Sequence, residues 1–210
     1  MKVVIVDYGI GNVFSVCSAL SAIKADFIVS NDHEEIKKAD RLILPGVGSF
    51  DRAAEKLRDL GLDKVIIEYT TRGNPFLGIC VGMQLLMEFG EEGRGSPGLG
   101  LFKGKVKRIN DNSASNFSLP IPHISWAEVT KKETGTNFLD NLGEKKIDMY
   151  FVHSYHCVPE DKEDIKGITF YGENQITAMI QNDNIIGTQF HPERSGPIGL
   201  MFLERFLQQK

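Results

Sequence analysis

The sequence predicts an α/β fold in one domain spanning residues 1–210: a mainly parallel central sheet with helices on both faces, plus a smaller antiparallel section in the second half. Three observations predict it. Over residues 1–90, short Val-, Ile- and Phe-rich runs alternate strictly with segments of helical period, the pattern of right-handed crossovers and a sheet covered on both faces. Beyond them, one strand-like run follows another, divided by turn residues. A length of 210 residues with 41% hydrophobic and 25% charged side chains suits one ordinary globular core that needs no staples.

Each element has its own reason. Residues 2–6 are a continuous apolar run and read as a buried strand. Residues 12–23 place Val13, Val16, Ala19, Leu20 and Ile23 on one helical face. Residues 27–29 and 41–44 are further strands, the second ending at Pro45-Gly46-Val47-Gly48. Helices over 49–60 and 62–71, a strand at 75–79 and a helix at 83–89 complete the first half. Residues 91–100 are a glycine-rich loop. Strands are expected at 101–109, 126–129, 149–152, 168–171, 177–181 and 185–190, with Asn182-Asp183-Asn184 turning between the last two. A closing helix over 195–208 turns Ile198, Met201, Phe202, Leu203 and Phe206 inward. The polar tract 111–118 and the charge run 160–164 read as solvated loops.

Composition excludes some functions. Against 24 basic side chains stand 28 acidic ones, a net charge of −4, so the basic surplus of a nucleic-acid binder is missing. The first apolar run is only four residues long, too short for a signal peptide or a membrane span. Cys17, Cys80 and Cys157 are an odd count without paired spacing, which suggests neither disulfides nor a metal cluster; a cytoplasmic protein with reduced thiols and no cofactor is expected. On this reading the Asn116-Phe117-Ser118 glycosylation pattern carries no meaning, and Cys17 and Cys157 are packing residues.

Gly78-Ile79-Cys80-Val81-Gly82 lies where a strand ends and a helix begins, the cysteine counterpart of the Gly-x-Ser-x-Gly nucleophile elbow. Such a turn forces the nucleophile into sparsely populated backbone space, and flanking glycines remove side chains that would collide. It leaves the sulfur at the carboxyl edge of the sheet, above a helix N-terminus that favours thiolate. Taken alone, the pentapeptide also fits a buried cysteine in a core strand. His191-Pro192-Glu193 follows the last apolar strand, and side chains two apart in extended structure share a side. Glu193 can then orient His191 as general base for Cys80, although a histidine near a surface turn is the plainer reading of those three residues alone. Peptide N–H groups of Val47 and Gly48, together with that of Val81, are candidate oxyanion donors. No Gly-Lys-Ser/Thr follows the glycine loop, so a phosphate-binding Walker loop is excluded, and Gly9-Ile10-Gly11-Asn12 lacks the third glycine of a dinucleotide fingerprint.

With these segments and Asp7-Tyr8-Gly9-Ile10-Gly11-Asn12, Met83-Gln84-Leu85-Leu86, Tyr150-Phe151-Val152-His153-Ser154-Tyr155 and Gln189-Phe190-His191-Pro192-Glu193-Arg194-Ser195-Gly196, the whole chain resembles the class I (triad-type) glutamine amidotransferases. More narrowly, it resembles the family of glutaminase subunits of imidazole glycerol phosphate synthase. The resemblance implies hydrolysis of L-glutamine to glutamate and ammonia through a Cys80-His191-Glu193 triad and a glutamyl thioester. It implies a glutamine pocket at Gly48, Gln84, Glu92 and the Ser154-Tyr155 backbone, and ammonia passed to a (β/α)8-barrel cyclase. Glu92 also reads as a solvated loop acid, and His153 equally as a hydrogen-bonded core residue. The family's His-x-Gly-Trp-Asn segment, which lies toward the synthase partner, reads here His123-Ile124-Ser125-Trp126-Ala127, so His123 and Trp126 are expected at a partner interface. That departure leaves open a paralogue feeding a related barrel synthase of cell-surface sugar metabolism. A peptidase or esterase of the same architecture, and an inactive regulatory subunit, are the other readings.

Overall fold

The structure, a computed structural model, describes residues 1–110, 119–133, 137–142 and 146–209; the tract 111–118, with Asn116, lies outside them. The first half alternates as expected. Strand β1 (Val3–Val6) leads to α1 (Val13–Ala22), β2 (Phe27–Ser30), a short α2 (His33–Lys37), β3 (Arg41–Gly46), α3 (Phe50–Asp59), α4 (Leu62–Thr71) and β4 (Phe76–Cys80). Helix α2 is an addition to the sequence reading; Asp32 nucleates it by accepting hydrogen bonds from the Glu34 and Glu35 amides.

The expected helix at 83–89 is corrected. Helix α5 covers only Val81–Gln84, and the chain returns as a strand, β5 (Met87–Gly90). The carbonyls that a longer helix would use internally are taken by another segment. Leu85 O accepts from Leu99 N at 2.7 Å, and Leu86 O accepts from Leu101 N and Phe102 N at 2.9 and 3.0 Å. The expected loop 91–100 contributes the two-residue strand β6 (Ser96–Pro97) to the same structure.

The remaining strands are β7 (Phe102–Arg108), β8 (His123–Lys131), β9 (Lys146–His153), β10 (Tyr155–Pro159), β11 (Ile165–Tyr171), β12 (Asn174–Asn182) and β13 (Ile185–Thr188), before α6 (Gly196–Gln208). Among the described residues they form two sheets. The larger runs β2-β1-β3-β4-β13-β12-β11-β8-β9: its β2-to-β13 part is parallel, and β13 onward is antiparallel. The smaller runs β10-β7-β5-β6. Strand β10 was not foreseen in its alternation of polar and apolar residues.

Strands β1, β3 and β4 are buried along most of their length, as the continuous apolar runs require. On α6 the stripe Gly199, Phe202, Leu203, Phe206 and Leu207 faces inward. Leu203 is therefore core, whereas Met201, expected inside, is 46% exposed because it falls outside that i, i+3, i+4 stripe. The charge run 160–164 is largely exposed, as expected. No helix among the described residues is long and apolar enough to cross a membrane.

Candidate active site

Strands β3, β4 and β13 are parallel neighbours, so their carboxyl ends meet at one edge of the sheet. Cys80 ends β4 with φ 54° and ψ −109°, a conformation that L-residues rarely adopt. The turn is held there by close packing. A Cβ on Gly82 would lie 1.9 Å from the Leu44 carbonyl oxygen, and one on Gly78 would lie 2.6 Å from the Gly82 oxygen. Only glycine lets the start of α5 cross β3 and β4 at that distance.

His191 stands three residues beyond the neighbouring strand β13. Its amide donates to Tyr150 O at 2.9 Å. The buried Ser195 hydroxyl accepts from Tyr150 N at 3.0 Å and donates to His191 O at 2.7 Å, fastening the histidine backbone to β9. Its ring Nδ1 lies 2.7 Å from Glu193 Oε1. A carboxylate can only accept there, so Nδ1 carries the proton. Nε2 is buried without a partner among the described residues, as is Glu193 Oε2. The Cys80 thiol points at Val152 O, 3.8 Å away, and receives the Gln189 amide at 3.7 Å. Burial pushes the His191 imidazole down, but charge on the neighbouring Cys80 and then the Glu193 hydrogen bond and charge outweigh it, holding the ring up to about 10.

Cys80 and His191 line one cavity of about 390 Å³, and Val47, Gly48 and Val81 line it with them. Gln84, Glu92, Ser154 and Tyr155 also line it, so the structure brings together every residue expected in the nucleophile, oxyanion and glutamine sets. Their hydrogen bonds narrow what each can do. Gln84 Nε2 spends its donors on Tyr155 O at 2.9 Å and Gln189 Oε1 at 3.1 Å, leaving its carbonyl oxygen as an acceptor. Glu92 is no free loop acid: Oε2 accepts from Phe50 N at 2.7 Å, while burial pushes its carboxyl up. The Ser154 carbonyl accepts from Ile109 N, and that of Tyr155 is filled by Gln84 and by His153 Nδ1 at 2.8 Å.

His123 is corrected. It was expected on a partner-facing surface, but it is 1% exposed and stacked between Phe151 and Tyr171 at 5.4 and 4.1 Å. The alternation of β8 explains this: His123 and Ser125 share one face, and Ile124 and Trp126 the other. Trp126 is 55% exposed. His153 Nδ1 must donate to a carbonyl, so its Nε2, 3.1 Å from His123 Nδ1, accepts; His123 Nε2 then accepts from Ser125 Oγ at 2.8 Å. Burial pushes both rings down, His123 to about 4 and His153 to about 3, keeping this chain neutral. Sequence reasoning gave no role to Gln189, Ser195 or Arg194, which lines the cavity with its guanidinium 5.0 Å from the Tyr150 ring. Gln189 carried a signal: two residues before His191, it stands where a polar side chain interrupts an apolar strand.

Residues 4–209 match the model of the class-I glutamine amidotransferase family. The chain belongs to that family. Among curated relatives, the imidazole glycerol phosphate synthase subunit HisH of Lactococcus lactis is 44% identical, covering 99% of this chain and 98% of the relative. The HisH protein of a Geobacillus strain is 42% identical over 96% of this chain and 94% of its own length. Among solved structures, PurLQS from Thermotoga maritima superposes with a TM-score of 0.74 at 22% identity, covering 99% of this chain and 97% of that one, which shows a shared fold. In this glutamine amidotransferase, then, the elbow cysteine and the His-Pro-Glu segment sit on neighbouring parallel strands at one sheet edge. Among the described residues no group of three or more His, Cys, Asp or Glu is arranged to hold a metal ion.

Proposed function

We propose that this chain is the glutaminase subunit of an imidazole glycerol phosphate synthase and supplies ammonia to a (β/α)8-barrel cyclase in histidine biosynthesis. The observation that carries the chemistry is the clamped imidazole: Nδ1 is committed to Glu193 at 2.7 Å, and the free Nε2 shares a cavity with the Cys80 sulfur. His191, whose ring is held up to about 10, takes the proton of the Cys80 thiol. The thiolate attacks the carboxamide carbon of L-glutamine, and the negative oxygen that develops is received by peptide N–H groups of Val47, Gly48 and Val81. His191 Nε2 gives its proton to the departing nitrogen, which leaves as ammonia. The neutral imidazole then takes a proton from water as it attacks the γ-glutamyl thioester, releasing glutamate.

The cavity supports the substrate assignment. Glu92, half-buried in the cavity lining, can receive an α-ammonium group, and the acceptor-only Gln84 can receive substrate N–H groups. Relatives at 42–44% identity, all named as HisH subunits, favour the histidine-pathway synthase over a cell-surface sugar synthase. The exposed Trp126 beside Ile124, itself 57% exposed, supports a protein partner on the outer face of β8. An inactive regulatory subunit is not favoured, because Cys80, His191 and Glu193 are all present.

The test is reconstitution of this chain with the barrel cyclase. Cys80→Ala is expected to abolish glutamine-dependent synthesis, a loss of at least about 10³-fold, while synthesis from added ammonia continues. Glutamine use that survived the substitution would overturn the nucleophile assignment.

A further inference from the structure

Gln189 has no place in the scheme above, although its amide reaches the reacting sulfur. It is fully buried, its backbone N–H donates to Ala178 O at 2.9 Å, and its Nε2 lies 3.7 Å from Cys80 Sγ. An amide can be turned either way, so the direction of this contact has to be argued. Gln84 decides it. Its Nε2 lies 2.9 Å from the Tyr155 carbonyl oxygen, which cannot be turned over, so Gln84 presents its NH2 group there and, from the same nitrogen, to the Gln189 amide. Turning Gln189 over would set its NH2 against the Gln84 NH2 and its oxygen against the sulfur, two repulsive contacts in place of two attractive ones. The Gln189 donor is thus locked toward Cys80 by a second buried amide.

The other contact of the sulfur has the opposite sense. Val152 O, 3.8 Å away, accepts from a thiol and repels a thiolate. On that side the elbow favours the neutral form. Among the described residues Tyr8, Cys157 and His191 feel a charge on Cys80, and Glu92 and Arg194 line the same cavity. Burial, with the Cys80 charge adding to it, pushes Tyr8 and Cys157 far above their usual ranges, so both stay neutral, and the Tyr8 hydroxyl is committed to Pro45 O at 2.9 Å. His191 therefore supplies the charge that favours the thiolate, and Gln189 supplies a neutral N–H that neither moves nor titrates.

We propose that Gln189 is a catalytic residue of the glutaminase site, a fixed hydrogen-bond donor that stabilises the Cys80 thiolate and is held in place by Gln84. The proposal rests on the functional reading above, but its test does not depend on turnover. In the full-length chain, iodoacetamide modification of the Cys80 peptide is followed by mass spectrometry as a function of pH, with Cys17 as internal reference. Gln189→Leu removes the donor at similar volume. Gln189→Glu keeps an acceptor for Gln84 but sets a carboxyl oxygen against the sulfur, and being isosteric it serves if the leucine variant does not fold. Circular dichroism identifies the folded variants. The pH midpoint of Cys80 modification is expected to rise by about one unit with Leu, the size of a hydrogen bond to a charged group, and by more with Glu. An unchanged midpoint in either folded variant overturns the proposal. In the reconstituted complex, kcat with glutamine is expected to fall about tenfold with KM little changed. A shifted midpoint in a complex that never uses glutamine would leave the donor role standing and remove the glutaminase reading instead.

Discussion

The two strand ends that meet in the cavity hold their side chains by different means. At the end of β4 the nucleophile's backbone is placed by exclusion: Gly78 and Gly82 let backbone approach backbone so closely that Cys80 is left at positive φ, its side chain making no helix-cap hydrogen bond. At the end of β13 the imidazole is placed by bonding, through Tyr150 O, the Ser195 hydroxyl and Glu193, on a backbone of ordinary dihedrals. Steric placement admits almost no substitution and does not respond to pH. Hydrogen-bonded placement loosens one bond at a time, and its last member carries a titrating ring.

The contrast can be broken hardest at the elbow. Gly82→Ala is expected to cost about 3 kcal/mol or more, seen as loss of soluble protein or a collapse of the urea midpoint, because a Cβ 1.9 Å from Leu44 O has nowhere to go. A variant of native stability would show that exclusion is not what shapes β4's end. Ser195→Ala, at the other strand end, is expected to cost about 2 kcal/mol, since it strips Tyr150 N and His191 O of a shared partner. Its folded fraction should retain glutamine use at reduced kcat, whereas complete inactivity would mean the hydroxyl does more than fasten the backbone.

The smallest effect is a shift along the pH axis. His191 is held above its ordinary value, so the stability of its charged form is complete below pH of about 6.5 and is lost as pH rises through about 10. The alkaline limb of glutamine-dependent kcat/KM is accordingly expected near pH 10. Glu193→Gln removes one of the causes that raise the ring and should bring that limb down by about one unit. A limb that stays in place would show that Glu193 orients the ring without charging it.

How much of this was legible in the sequence follows the same division. Apolar runs and glycine spacing are local, so β1, β3, β4 and the elbow at Cys80 could be read from residues alone, and His191 and Glu193 stood out at a strand end. Hydrogen-bond placement is not local. Ser195 and Gln189 act on groups far away in the chain; nothing around Ser195 announces it, and Gln189 shows only that a polar side chain interrupts an apolar strand, not what it reaches. Helix α5 stopped early where Leu99, Leu101 and Phe102 capture the carbonyls of Leu85 and Leu86 just beyond it, a contact invisible to periodicity. His123 went inside because the strand around it began three residues earlier than its apolar content suggested, so its face was misjudged.

The order of strands in the larger sheet bears on when this protein becomes reactive. Strand β13, which leads to the imidazole, wedges between β4 and β12, although it emerges from the ribosome long after β4. A nascent chain that has already made its elbow still lacks the partner that would activate the sulfur. The sulfur and the imidazole come to share a cavity only where β13 is paired with β4, and a product that ends before β13 has neither His191 nor Gln189.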